Sequence, residues 1–147
     1  ETFYLTFKNT ANKKNMVVRH YGSRKKLSKK ILNIIDDVIL TTKSNNGTRL
    51  NLMFNYGARK EIEDAIKKIR ISKKNTYNFR DYLYVSDSSD PDLIIRTGGE
   101  LRLSNFMLWQ SAYSELYFTK TLWPDFKIRS LNRVLHGYNK RNRKLGK

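Results

Sequence analysis

The chain has 147 residues, no cysteine, and a formal net charge of +17 from 30 Lys and Arg against 13 Asp and Glu. Disulfides and thiolate-held metals are therefore excluded, a reducing, cytoplasmic setting is compatible, and no apolar run reaches the ~20 residues of a membrane helix. The charge invites a nucleic-acid reading, but the basic residues are scattered and the aromatics fall in apolar patterns rather than on a stacking platform. No nucleic-acid partner is expected.

From Phe3 to Asn15 an aromatic start runs into a polar stretch, a composition suited to the tail of a helix but without an N-terminal cap. Met16–His20 reads as a strand with Gly22 at its turn. Between Lys25 and Thr42 the residues Leu27, Ile31, Ile34, Ile35, Val38 and Ile39 recur at helical spacing, which predicts an amphipathic helix with lysines outward. Leu50–Tyr56 alternates like a second strand and stops at Gly57. A further amphipathic helix follows on Ile62, Ala65, Ile66 and Ile69, then a polar linker over Ile71–Thr76 and a short helix at Phe79–Tyr84. Asp87–Asp92 is acidic, but it lacks the spacing and glycine of a calcium loop and reads as a solvated turn.

Asp92–Phe106 carries the most chemistry. Leu93, Ile94, Ile95 and Thr97 suggest a short buried strand that breaks at Gly98-Gly99. Arg96, Glu100, Arg102 and Ser104 follow, with Ser104 or Asn105 placed to cap a buried helix carrying Phe106, Met107, Trp109, Gln110 and Tyr113. Two arginines, a hydroxyl and a helix start favour a phosphate or diphosphate, because the guanidinium fork pairs with phosphate oxygens. On residue types alone, a strand end with solvated arginines is an equally good reading. Glu115–Phe118 reads as another strand, and Asp125 as the cap of a last helix bearing Ile128, Leu131, Leu135 and Tyr138. Strands alternating with helices predict an α/β fold with a mostly parallel sheet flanked by helices. His20 and His136 are isolated, with no spacing for zinc or for a nucleophile–base pair.

Three consecutive blocks, Arg96-Thr-Gly-Gly-Glu-x-Arg-Leu-Ser-Asn-Phe106, Leu108-Trp-Gln-x-Ala-Tyr-Ser-Glu-Leu-Tyr-Phe118 and Leu122-Trp-Pro-Asp-Phe126, resemble the cis-prenyltransferases, most closely the C-terminal part of the bacterial undecaprenyl diphosphate synthases. Asn55-Tyr-Gly-Ala-Arg59 resembles a further family segment with Ala58 in place of glycine, and Ser23 stands where an aspartate is usual. The resemblance implies a transferase that condenses isopentenyl diphosphate with an allylic diphosphate into polyprenyl diphosphate. It implies Arg96, Arg102 and Ser104, with the backbone of Leu103, as holders of isopentenyl diphosphate, and Glu115 as a magnesium-associated carboxylate. It also implies a homodimer for the full-length enzymes and peripheral membrane contact through the lipid product. Without the resemblance, the plainer reading of Glu115 is a carboxylate paired with a nearby arginine.

The Asp-Gly-Asn-Gly-Arg phosphate loop that carries the family's catalytic aspartate does not occur in these 147 residues, nor does a Phe-Ser-x-Glu-Asn-Trp segment. The chain is therefore expected to be one partial cis-prenyltransferase domain over residues 1–147, with no catalytic residue of its own and no activity alone. A non-catalytic partner subunit is the alternative, since Lys144-Leu-Gly146 resembles the family's Arg-x-Gly ending with lysine for arginine. A basic nucleic-acid module is a weaker one.

Overall fold

A computed structural model describes residues 2–73 and 76–141, and the chain falls into two compact units, Glu1–Ser86 and Asp87–Lys147. In the first, helix α1 (Thr2–Lys13) leads to strand β1 (Val17–His20), helix α2 (Lys29–Thr41), strand β2 (Arg49–Leu52) and helix α3 (Ala58–Ile71), then a 3-10 turn at Phe79–Tyr82. In the second, strands β3 (Leu93–Arg96) and β4 (Glu115–Phe118) precede helix α4 (Ile128–Asn139). Both strand pairs are parallel: Val17 pairs with Arg49 through His20 with Leu52, and Leu93 with Glu115 through Arg96 with Phe118. A parallel pair cannot be closed by a tight hairpin. In the first unit α2 supplies the crossover, as its periodicity predicts.

Helix α2 starts where Ser28, in extended backbone, accepts the Ile31 N–H at 3.3 Å through its hydroxyl. Its end is fastened by Thr42, fully buried, whose hydroxyl donates to the Val38 carbonyl at 2.8 Å and accepts the Val18 N–H at 3.1 Å. One side chain thus satisfies a helix-terminal carbonyl and a strand donor together. The core of this unit is Ala11, Val18 and Val38, with Tyr4, Phe7 and Met16 packed on it. Asp37 on α2 accepts from Lys8 at 2.8 Å and from the Tyr4 hydroxyl, which ties α1 to α2.

The C-terminal ends of β1 and β2 are bound to each other by backbone. Gly22 has φ +152°, and a Cβ there would lie 2.1 Å from the Phe54 carbonyl oxygen, so only glycine fits. The Ser23 N–H donates to Asn55 O at 2.9 Å, and the Asn55 amide returns bonds to Ser23 O at 2.7 Å and Lys25 O at 3.2 Å. Asn55 has φ +53°. That left-handed residue ends the extended conformation, which is why β2 stops at Leu52 instead of continuing to Tyr56.

Arg24 grips both oxygens of Asp36, at 2.8 and 2.7 Å. The pair raises the arginine's pKa and lowers the aspartate's, mainly through this hydrogen-bonded contact. Asp64 is likewise held below the usual carboxylate range by Lys60 and the Tyr84 hydroxyl. Among the described residues no helix is long and apolar enough to cross a membrane.

Besides the shorter β2, three features differ from expectation. Helix α4 starts after Lys127 with no side-chain cap, and Asp125, expected to cap it, ends a 3-10 turn at Trp123–Asp125. Helix α3 runs through Ile71, into what reads as a linker, and residues 74 and 75 of that linker lie outside the described residues. Residues 101–114 form successive turns and no helix. Ser104, Asn105 and Met107 all have positive φ, at 48°, 64° and 46°, which no α-helix accommodates. The apolar spacing of Phe106, Met107, Trp109 and Tyr113 imitates a helical face. However, Tyr113 is 72% exposed and Trp109 47%, and only Gln110 of this group is fully buried.

Candidate anion site

At the C-terminal end of β3 the backbone turns through Gly98 and Gly99, at φ +92° and +85°. Open α/β sheets place ligands beyond such strand ends. Both glycine N–H groups are already used, donating to Thr121 O and Thr119 O at 2.9 Å each. The glycines are therefore required for the turn that fastens the end of β3 to the chain after β4, and they do not present their amides to a ligand.

The turn brings Arg96 against the strained segment that follows. Its Nη1 donates to the Ser104 hydroxyl at 2.9 Å and to the carbonyl of Arg102. The Arg102 side chain, 63% exposed, forms an ion pair with Glu100, and the Leu103 carbonyl accepts the Phe106 N–H at 3.1 Å. Arg96 and Ser104 thus meet directly, whereas Arg102 contributes its backbone and turns its guanidinium to a carboxylate. With no helix at Ser104 or Asn105, the helix N-terminus expected to favour the anion is absent. The positive charge described at this end of β3 comes from Arg96, Arg102 and Lys120, which packs beside Gly99.

Three non-glycine residues in left-handed backbone within four positions cost on the order of 1 kcal/mol each, and such clusters concentrate where a ligand is gripped. Because Ser104 sits at φ +48°, replacement by glycine should leave the chain about 0.5–1 kcal/mol more stable than replacement by alanine. Urea unfolding of the two variants measures this reversal of the usual order. Equal stability would contradict the strained conformation.

Glu115 begins β4 opposite Leu93, while Arg96 ends β3, so the two lie about 10 Å apart along the strands. The Glu115 carboxylate forms an ion pair with Arg141, which also donates to Leu116 O at 3.4 Å. Magnesium takes one or two carboxylates together with phosphate oxygens and water. Glu115 offers one carboxylate, already engaged by a cation and remote from Arg96. Among the described residues no three His, Asp or Glu side chains gather where a metal could be held. Among the described residues Glu115 is thus a single carboxylate of the kind magnesium takes, held by Arg141.

A separate apolar groove lies in the first unit between α1, α2 and the β1–β2 pair, with a volume of about 430 Å³ and Phe7, Ile34, Ile35, Val38, Leu52 and Phe54 on its walls.

Parallel strand pairs flanked by helices, with an arginine–serine cluster beyond one strand end, define an α/β protein. Residues 2–146 match the family described as "Putative undecaprenyl diphosphate synthase". The chain is 48% identical over 139 residues to an isoprenyl transferase of Thermotoga maritima, an alignment that covers 88% of this chain and 58% of that one. An isoprenyl transferase of Leptospira interrogans is 42% identical, with 98% and 64% covered. Among solved structures, a probable undecaprenyl diphosphate synthase from Campylobacter jejuni superposes with a TM-score of 0.87 at 33% identity, covering 99% of this chain and 70% of that one. Lavandulyl diphosphate synthase from Lavandula x intermedia, solved with dimethylallyl diphosphate, gives 0.89 at 30%, covering 98% and 68%. The chain belongs to the undecaprenyl diphosphate synthase family, the cis-prenyltransferases. It spans less than two thirds of the length of these curated relatives.

Proposed function

We propose that the chain is the isopentenyl-diphosphate-holding part of a cis-prenyltransferase that joins isopentenyl diphosphate to an allylic diphosphate and makes polyprenyl diphosphate. The observation that carries this reading is the contact of Arg96 with Ser104 beyond β3, beside the Arg102 backbone. A diphosphate has several oxygens to satisfy. Arg96 would take one edge, the Ser104 hydroxyl another, and Arg102 would exchange Glu100 for the ligand. The exchange is cheap because the Arg102–Glu100 pair is exposed. The Leu103 backbone is proposed to support the same diphosphate. The apolar groove suits an isoprenoid chain, since burying hydrocarbon there is favourable by about 25 cal/mol per Å². Magnesium belongs to the complete reaction on chemical grounds, because a departing diphosphate needs its growing charge neutralised. Homodimer formation and contact of the lipid product with a membrane surface belong to the same proposal.

Calorimetric titration of isopentenyl diphosphate without metal tests the site. Arg96→Ala should weaken binding by about 2–4 kcal/mol, because it removes a charged contact to phosphate. Arg102→Ala should cost less, since its guanidinium must first leave Glu100. Unchanged affinity in both variants would refute the assignment.

A further inference from the structure

Glu115 opens β4, and its carboxylate, about a quarter exposed, meets the guanidinium of Arg141 at the far end of α4. The Arg141 N–H donates to Tyr138 O at 3.0 Å, and its side chain reaches both Glu115 and the Leu116 carbonyl. The position favours a cation twice over. The last turn of α4 presents carbonyl oxygens at the negative end of the helix dipole, and the carboxylate lies beside it.

We propose that Arg141 stands on Glu115 where a divalent cation would otherwise bind, closing that carboxylate to metal and fastening the end of α4 to the start of β4. This rests on the proposed function only in giving Glu115 a metal to be closed against; the ion pair itself does not depend on that reading. Carboxylate and guanidinium in contact form a neutral pair. A divalent ion joining them would lie within a few ångströms of a full positive charge, on a chain already at +17. Either the ion stays away or Arg141 withdraws, and withdrawal breaks the side-chain link from the end of α4 to Glu115 and the Leu116 carbonyl. Glu115 is thus a carboxylate whose availability is set by the position of a helix end.

Titration of the 147-residue chain with Mn2+, followed by the loss of free-ion electron paramagnetic resonance signal, reads this directly. Arg141→Gln should bind Mn2+ about 3–10-fold more tightly than the unsubstituted chain, from loss of one unit charge at close range in a partly hydrated site. The gain should vanish in Arg141→Gln/Glu115→Gln. Arg141→Lys keeps a charge but lacks the fork, and should fall between the two. It also carries the test should the glutamine variant fail to fold. Affinity unchanged or weaker in whichever variants fold, or a gain that survives Glu115→Gln, overturns the proposal. Isopentenyl diphosphate binding measured without metal in the same samples reads Arg96 and Ser104, so failure of the proposed function shows there and not in the Mn2+ titration.

Discussion

Replacing Glu61 by alanine should destabilise the chain by about 3–5 kcal/mol, among the largest effects of any single side chain in the first unit. Glu61 lies on α3 and is fully buried. Its Oε2 accepts the Tyr56 hydroxyl at 2.5 Å, and its Oε1 accepts the backbone N–H groups of Tyr84 at 2.8 Å and Val85 at 3.3 Å. A carboxylate without water persists only when donors surround it. Here they come from Tyr56, just ahead of α3, and from the chain that leaves the Phe79–Tyr82 turn. Alanine would strip the acceptor from the buried Val85 N–H and the part-buried Tyr84 N–H and leave a cavity in place of the carboxylate. Glu61→Gln keeps one oxygen for those donors and fills the space, so about 1–2 kcal/mol is expected. Tyr56→Phe should cost a similar amount. Urea unfolding separates the three variants. A loss below about 1 kcal/mol for Glu61→Ala would show that the segment is held by apolar packing instead.

Glu61 also marks a boundary of what the sequence makes legible. The residue sits on a helix whose apolar face is plain from Ile62, Ala65, Ile66 and Ile69, and a glutamate beside that face has the pattern of a solvated one. Its burial depends on Tyr56 and on donors more than twenty residues away, and no periodicity reports them. Strand order, pairing direction and α2 were legible, because a continuous apolar face at one spacing admits few solutions, whereas the early stop of β2 at Leu52 was not. The turn segment after β3 was not. Phe106, Met107, Trp109 and Tyr113 fall at helical intervals, yet the backbone at Ser104, Asn105 and Met107 is left-handed. Of these only Asn105 belongs to a residue type that favours that conformation. The site was half legible. Arg96 and Ser104 meet as their motif implies, whereas the charge partners Glu100 for Arg102 and Arg141 for Glu115 are tertiary facts. An arginine beside Glu115 fits the plainer reading of that residue. The Lys144-Leu-Gly146 ending lies outside the described residues.

The 147-residue chain by itself should yield no polyprenyl diphosphate from isopentenyl and farnesyl diphosphates with magnesium. Holding one diphosphate at Arg96 and Ser104 is binding, not turnover. Condensation requires two substrates aligned at near-attack distance, an arrangement that contributes about 7–11 kcal/mol of rate enhancement, and a neutralised leaving group besides. The described donors do not by themselves assemble a metal site: Glu115 is committed to Arg141, and no group of three His, Asp or Glu side chains gathers among the described residues. The Asp-Gly-Asn-Gly-Arg loop, where the resemblance locates the catalytic aspartate, is not among the 147 residues, and the chain spans 58% of the length of its Thermotoga maritima relative. The assay is extraction and chromatography of radiolabelled product, run with the chain alone and then with a separately expressed segment of a relative that carries the aspartate loop. Product is expected only on mixing, and it should fall when Arg96→Ala is introduced into this chain. Long-chain product from the purified chain alone would mean that its own residues complete both the metal site and the second substrate site, against the geometry around Glu115.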